Sequence, residues 1–261
     1  MDLGIDSRTA LVLGGGGGLG GAIAERLAGE GANVVVADIH LEAAESRRDA
    51  IVAAGGRAMA VRWDIADLDV IEGNAAAIEQ TFGPVDILVN NTGGPAPAPV
   101  LGQPAALWLD NFRSMVLSVI AISDRLLPGM QARGWGRVIT STSSGIIAPI
   151  PNLGMSNSLR AALLGWSKTL AREVAADGVT CNVVVPGRIG TQRVERLDQI
   201  KAEALGRTVE QIAADSAATI PIGRYGEPHE YASTVAFLAS TTASYITGSV
   251  VRVDGGLIPS L

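Results

Sequence analysis

The sequence predicts an α/β fold: one doubly wound parallel sheet with helices on both faces. Three observations predict it. Short apolar, β-branched runs alternate with longer helical stretches. The runs are continuous rather than alternating, as in strands covered on both faces. A glycine-rich corner joins the first run to the first helical stretch, and no repeat, linker or composition break divides the 261 residues.

The elements follow in chain order. Thr9–Leu13 is the first strand. A helix over 19–30 places Ile23, Leu27 and Ala28 on one stripe. Asn33–Asp38 is the second strand, followed by a helix over 41–54, a weaker strand at Arg57–Arg62 and a helix over 68–82. Strands at 85–90, 137–141 and 179–185 come next, separated by long helices at 107–133 and 153–177. Val250–Val253 is the last strand. Right-handed crossovers between parallel strands then wind the chain into one domain, residues 1–261. Two stretches stand apart. Residues 93–104 are rich in Pro and Ala, and residues 188–223 are charged, with helical patterns at 194–205 and Val209–Ala218. Both follow strands, so they belong on the rim where such sheets bind ligands. The second is expected to act as a substrate lid.

Composition excludes several classes. Hydrophobic residues make up 48% and charged residues 18%, enough for a large core and for contacts with further copies. The net charge of −6, with no basic stripe, argues against nucleic acid and against an anionic membrane surface. The longest uncharged run, residues 138–159, is broken by Pro149 and Pro151 and would span a bilayer poorly. The first six residues are acidic and lack an apolar signal core. The single cysteine, Cys181, lies in a strand and implies a reducing, cytoplasmic setting. His40 and His229 have no companion ligands, so no metal is expected.

The chemistry begins at Gly14-Gly15-Gly16-Gly17-Gly18-Leu19-Gly20, between the first strand and helix. Glycine allows a tight turn and close approach of backbone to a pyrophosphate, and the helix start offers free N–H groups. Asp38 ends the second strand, 18 residues after Gly20. A carboxylate there would accept hydrogen bonds from adenosine ribose hydroxyls and repel a 2′-phosphate. NAD is therefore favoured, with His40, Arg47 and Arg48 near enough in sequence to serve NADP. The competing role for Asp38 is a helix N-cap.

Several motifs in register resemble those of the short-chain dehydrogenases/reductases, nearest to their 3-oxoacyl-carrier-protein reductases. Gly14, Gly18 and Gly20, with Gly16 and Leu19 between, match the glycine motif. Asp64-Ile65 resembles the pair framing the adenine, beside Asp38-Ile39. Asn90-Asn91-Thr92-Gly93 resembles their Asn-Asn-Ala-Gly segment. Pro186-Gly187-Arg188-Ile189-Gly190-Thr191 resembles the segment after strand six, where Ile189 and Thr191 would meet the nicotinamide amide and phosphates. The segments 222–228 and 247–256 match the family's C-terminal motifs. The resemblance implies a Rossmann-type domain, a nicotinamide cofactor, a small-molecule substrate and a homotetramer or homodimer.

The resemblance also implies a catalytic Asn, Ser, Tyr and Lys, and here the sequence departs. Ser143 matches the Ser. Ser156 stands at the Tyr position and Arg160 at the Lys position. The Asn position falls on Met115, while Asn111 lies one helical turn earlier and would share its face. A serine is a far weaker acid than a phenol, and an arginine keeps its charge. Ser156 would otherwise cap the helix, and Arg160 would otherwise be a surface or interface charge. Two functions are consistent with this: an oxidoreductase interconverting carbonyl and alcohol by a relay that lacks the tyrosine, or a catalytically impaired dinucleotide-binding protein serving as redox sensor or partner subunit.

Overall fold

A computed structural model describes residues 2–260. The elements are β1 (Thr9–Leu13), α1 (Gly18–Gly29), β2 (Asn33–Asp38), α2 (Leu41–Ala53), β3 (Arg57–Arg62), α3 (Ile71–Phe82), β4 (Ile87–Asn90), α4 (Ala105–Phe112), α5 (Ser118–Ala132), β5 (Gly136–Ser141), α6 (Gly154–Val174), β6 (Val179–Pro186), α7 (Gln192–Leu205), α8 (Val209–Ala218), α9 (Pro228–Ala239) and β7 (Val250–Val253). The strands form one parallel sheet in the order β3-β2-β1-β4-β5-β6-β7.

β1 shows why the apolar runs are continuous. Ala10 and Val12 join the core under α1 and α9, with Ile23, Leu27 and Val235. Leu11 and Leu13 point the other way, onto Ile78, Ile122 and Leu126 of α3 and α5. Each face of the sheet therefore needs an apolar residue at every second position, and the strand needs one everywhere. β3 reads weakly because it is the edge: its residues are half-buried and its ends exposed. At the amino end of β5, the guanidinium carbons of Arg8 and Arg137 lie 4.0 Å and 4.4 Å from the centre of the Trp135 ring.

The chain winds from β1 outward through β2 to β3, then crosses back to β4 and winds the other way. The reversal opens a crevice between the carboxyl ends of β1 and β4. Asn91 ties the two edges there, its Nδ2 donating to the carbonyls of Leu13 and Gly14 at 3.3 and 3.4 Å.

Three expectations need correction. The helix expected over 107–133 is not uniform: between α4 and α5, Arg113–Leu117 forms a π turn. A widened turn re-aims side chains. Met115 is buried in the core at 1% exposure, and Asn111, just before the widened turn, is half-buried. α9 was not expected. Its alanines carry little periodic contrast, but Pro228 at its first position and a reciprocal Glu227–Glu230 capping box mark its start. Ser156 is no cap: it is the third residue of α6, behind Leu153. The uncharged run 138–159 is split among β5, a 3₁₀ turn at Ser144–Ile146 and the start of α6. Among the described residues, one helical run, Ala105–Ala132, is long and apolar enough to cross a membrane, with 28% of its most apolar window buried.

Candidate active site

The β1–α1 corner is a backbone cradle. Gly14 and Gly18 have φ of 59° and 52°, a left-handed region that favours glycine. A Cβ on Gly20 would fall on the Gly14 carbonyl oxygen, so the start of α1 packs directly against the turn. Nothing lies within 4 Å of a Cβ built on Gly17, and Gly18 meets only Thr191, at 3.8 Å. The N-terminus of α1 has no side-chain cap and no acidic residue in its first turn. Open space, free amides and a positive helix end fit a dinucleotide pyrophosphate.

A cavity of about 1130 Å³ runs along the carboxyl ends of the strands. At the β2–β3 side it is lined by Asp38, Ile39, Asp64 and Ile65. Gly14, Gly17, Gly18, Leu19, Asn91, Gly93, Pro186, Gly187, Ile189 and Thr191 line its middle. Of the cofactor residues expected from the sequence, Gly16 and Gly20 do not line the cavity but shape its wall. Asp38 accepts from the amides of Gly16 and His40, both at 3.0 Å, and the residue at the N-cap position of α2 is His40; the N-cap role for Asp38 is therefore set aside. Arg47 pairs with Glu25 and Arg48 with Asp49, so neither guanidinium is free of a carboxylate.

At the β5–α6 side the cavity is lined by Ser143, Ser156, Arg160 and Asn111. Ser143 lies two residues beyond β5 in extended backbone, and its Oγ accepts from the Gly145 amide at 3.2 Å. Accepting from the backbone leaves its O–H hydrogen for another oxygen. Ser156 is buried on the first turn of α6. Asn111 sits at the rim, its Nδ2 donating back to the Leu107 carbonyl at 2.8 Å.

Arg160 is not a surface charge. It is 8% exposed, and its guanidinium donates to Thr92 Oγ1 at 3.3 Å and to the carbonyls of Thr92 and Gly93 at 3.0 and 2.6 Å. Burial, aided by the nearby charge of Arg193, draws its pKa down to about 10. It remains a cation at neutral pH and serves as no base.

Sequence reasoning missed Arg193, at the start of α7. Its Nη1 and Nη2 donate to the carbonyls of Gly94 and Pro95 at 3.2 and 2.9 Å, continuing the row that Arg160 begins. An arginine three residues past the Pro-Gly-x-Ile-Gly turn was the available signal, hidden among the charges of 188–223. Sequence reasoning also missed Tyr231, which donates to Ser141 Oγ at 2.8 Å under the cavity wall. It is fully buried, and burial raises its pKa above that of an ordinary phenol, so it is a poor proton donor. Tyr225 is held by Arg188 and Asp198, and Tyr245 is fully exposed. Among the described residues no tyrosine lines the cavity, and Lys201 of α7 is the lysine that does. Among the described residues no cluster of metal ligands occurs.

A family model described as enoyl-(acyl carrier protein) reductase matches residues 15–258. The chain is 36% identical to the 3-oxoacyl-(acyl-carrier-protein) reductase FabG of Vibrio cholerae, over 97% of this chain and 98% of the relative. The chain belongs to the short-chain dehydrogenase/reductase family. Solved structures similar to this family member include L-sorbose reductase from Gluconobacter frateurii with NADPH and L-sorbose, at TM-score 0.95 and 31% identity over 100% of both chains. NAD⁺-bound xylitol dehydrogenase superposes with TM-score 0.89 and 26% identity, covering 97% of this chain and 99% of that one.

Proposed function

We propose that the protein is an NAD(P)-dependent oxidoreductase that interconverts a carbonyl and an alcohol on a small or acyl substrate. One observation carries the reading: a single cavity joins the glycine cradle to Ser143, Ser156 and Arg160. NAD is the preferred cofactor, because Asp38 lines the ribose side and Arg47 and Arg48 are engaged elsewhere. NADP remains within reach of the fold, as the NADPH-bound L-sorbose reductase suggests.

The bound dinucleotide supplies or accepts the hydride. The chain's own residues hold the substrate and handle the proton. Ser143, its Oγ fixed by the Gly145 amide, donates its hydroxyl hydrogen to the substrate oxygen. Ser156 stands where the family resemblance places the tyrosine, and a hydroxyl there passes a proton between substrate oxygen and solvent. Arg160, at the lysine position, holds positive potential at the catalytic end of the cavity and favours developing negative charge on oxygen. Asn111 completes the rim and orients water for the relay. Residues 1–261 act as one domain, with 188–223 as the lid. A second reading, a dinucleotide-binding protein of impaired chemistry, draws support from the lack of any tyrosine along the cavity.

The test compares wild type with Ser143→Ala. Calorimetry should show NADH binding in both. Turnover of ketones should fall by about 10²–10⁴-fold in the variant. Binding without turnover of any carbonyl by the wild type would select the second reading, and no binding of either dinucleotide would end both.

We further propose that the chain works in the cytoplasm as a homodimer or homotetramer. Leu107, Leu109 and Phe112 of α4 and Leu117 beyond it are exposed, an apolar surface on a helix that buries none of its own residues. The buried free Cys181 fits a reducing compartment.

A further inference from the structure

We infer that Arg160 and Arg193 form an anion-recognition pair, so that the substrate carries a carboxylate or a comparable small anionic group near its carbonyl. The inference rests on the oxidoreductase reading and names the substrate class of that same site.

The observation is an uncompensated pair of cations. Arg160 reaches up from α6 to the main chain at Thr92 and Gly93, and Arg193 reaches from α7 to Gly94 and Pro95. A Cβ built on Gly94 would stand 3.4 Å from an Nη2 of each, so both guanidiniums border the same backbone atom. The charge of Arg193 reaches Arg160: after burial, it is a cause that lowers Arg160's pKa. Every partner of either guanidinium is a neutral oxygen.

Other charges on the cavity do not cancel them. Arg188 is paired with Asp198, and Asp215 with Arg207. Lys201 adds a further positive charge from α7. Asp38 and Asp64 belong to the β2–β3 side, across the glycine cradle. The catalytic side is therefore cationic in a chain whose net charge is −6. A fixed cation inside a low-dielectric wall attracts an anion far more strongly than one in water.

Donors are still available. A guanidinium has five N–H groups; Arg160 uses three and Arg193 two on the loop. A carboxylate suits the remaining ones, because its oxygens can take charge-assisted N–H···O bonds from both guanidiniums. Neutral sugars and ketones leave this potential unused.

The test uses the full chain with saturating NADH and matched probes: pyruvate, acetoacetate and levulinate against their methyl esters. Three acids are needed to vary the distance from carbonyl to carboxylate. Ternary binding is read by calorimetry, and turnover by loss of NADH absorbance. At least one acid should bind about ten- to hundredfold more tightly than its ester, the range expected of one charge-assisted pair. Arg193→Gln should close that gap while leaving the NADH dissociation constant within about twofold, and Arg193→Lys should restore part of it. Equal affinity for acid and ester in every pair would overturn the inference, as would an Arg193→Gln variant that loses NADH affinity, which would assign the pair to the dinucleotide. Tight NADH binding with no acid preference sinks this inference alone, whereas absent NADH binding sinks the reading beneath it.

Discussion

Ser156 and Arg160 divide what could be read from what could not. Their positions relative to Ser143 were legible by counting along the chain. Their burial was not, because a serine and an arginine near a helix start are as often cap and surface charge. Only the packing of α6 against the 92–93 backbone decides that both face inward. Asp38 was more legible, since a carboxylate closing the second strand has few other tasks. It also gives a sharp expectation. Asp38→Ala removes the charge that would repel a 2′-phosphate, so the ratio of NADP to NAD affinity should rise by about tenfold or more, roughly 1.4 kcal/mol. Calorimetry with both dinucleotides checks it, and an unchanged ratio would place specificity elsewhere.

At the level of elements, the strands were the most legible part, because burial on both faces writes itself as unbroken β-branched runs. The π turn at Arg113–Leu117 had no such signature. One extra residue in a helical turn leaves the apolar pattern nearly intact. α9 escaped for the opposite reason: its capping residues announced it, but a stripe of alanines gave little contrast. The β1–α1 corner is where element packing is least forgiving. Gly20→Ala would drive a methyl group into the Gly14 carbonyl, which only backbone movement relieves. Destabilisation of about 1–3 kcal/mol is expected, together with weaker dinucleotide binding. Thermal melts with and without NADH should show a lower Tm and a smaller ligand-induced rise.

For the whole molecule, the doubly wound sheet and its ligand-binding rim followed from strand–helix alternation, whereas assembly did not, because an apolar helix face reads alike whether core, membrane or another subunit covers it. The exposed side of α4 fits the last of these. Light scattering behind size exclusion should give a mass of two or four times 26.8 kDa. Leu109→Glu, on a residue 68% exposed in the single chain, should lower that mass without changing the circular dichroism. A monomeric wild type would refute the assembly and leave the site untouched.

Two of the four tryptophans serve as built-in optical reporters. Trp63 is 2% exposed and lines the ligand cavity, on the side assigned to adenine. Trp135 stacks with Arg8 and Arg137 at the opposite end of the strands. Emission changes on adding nucleotide should therefore vanish in Trp63→Phe, while the red shift in urea should persist there and weaken in Trp135→Phe. One chain can thus be titrated for occupancy and for unfolding with no added dye.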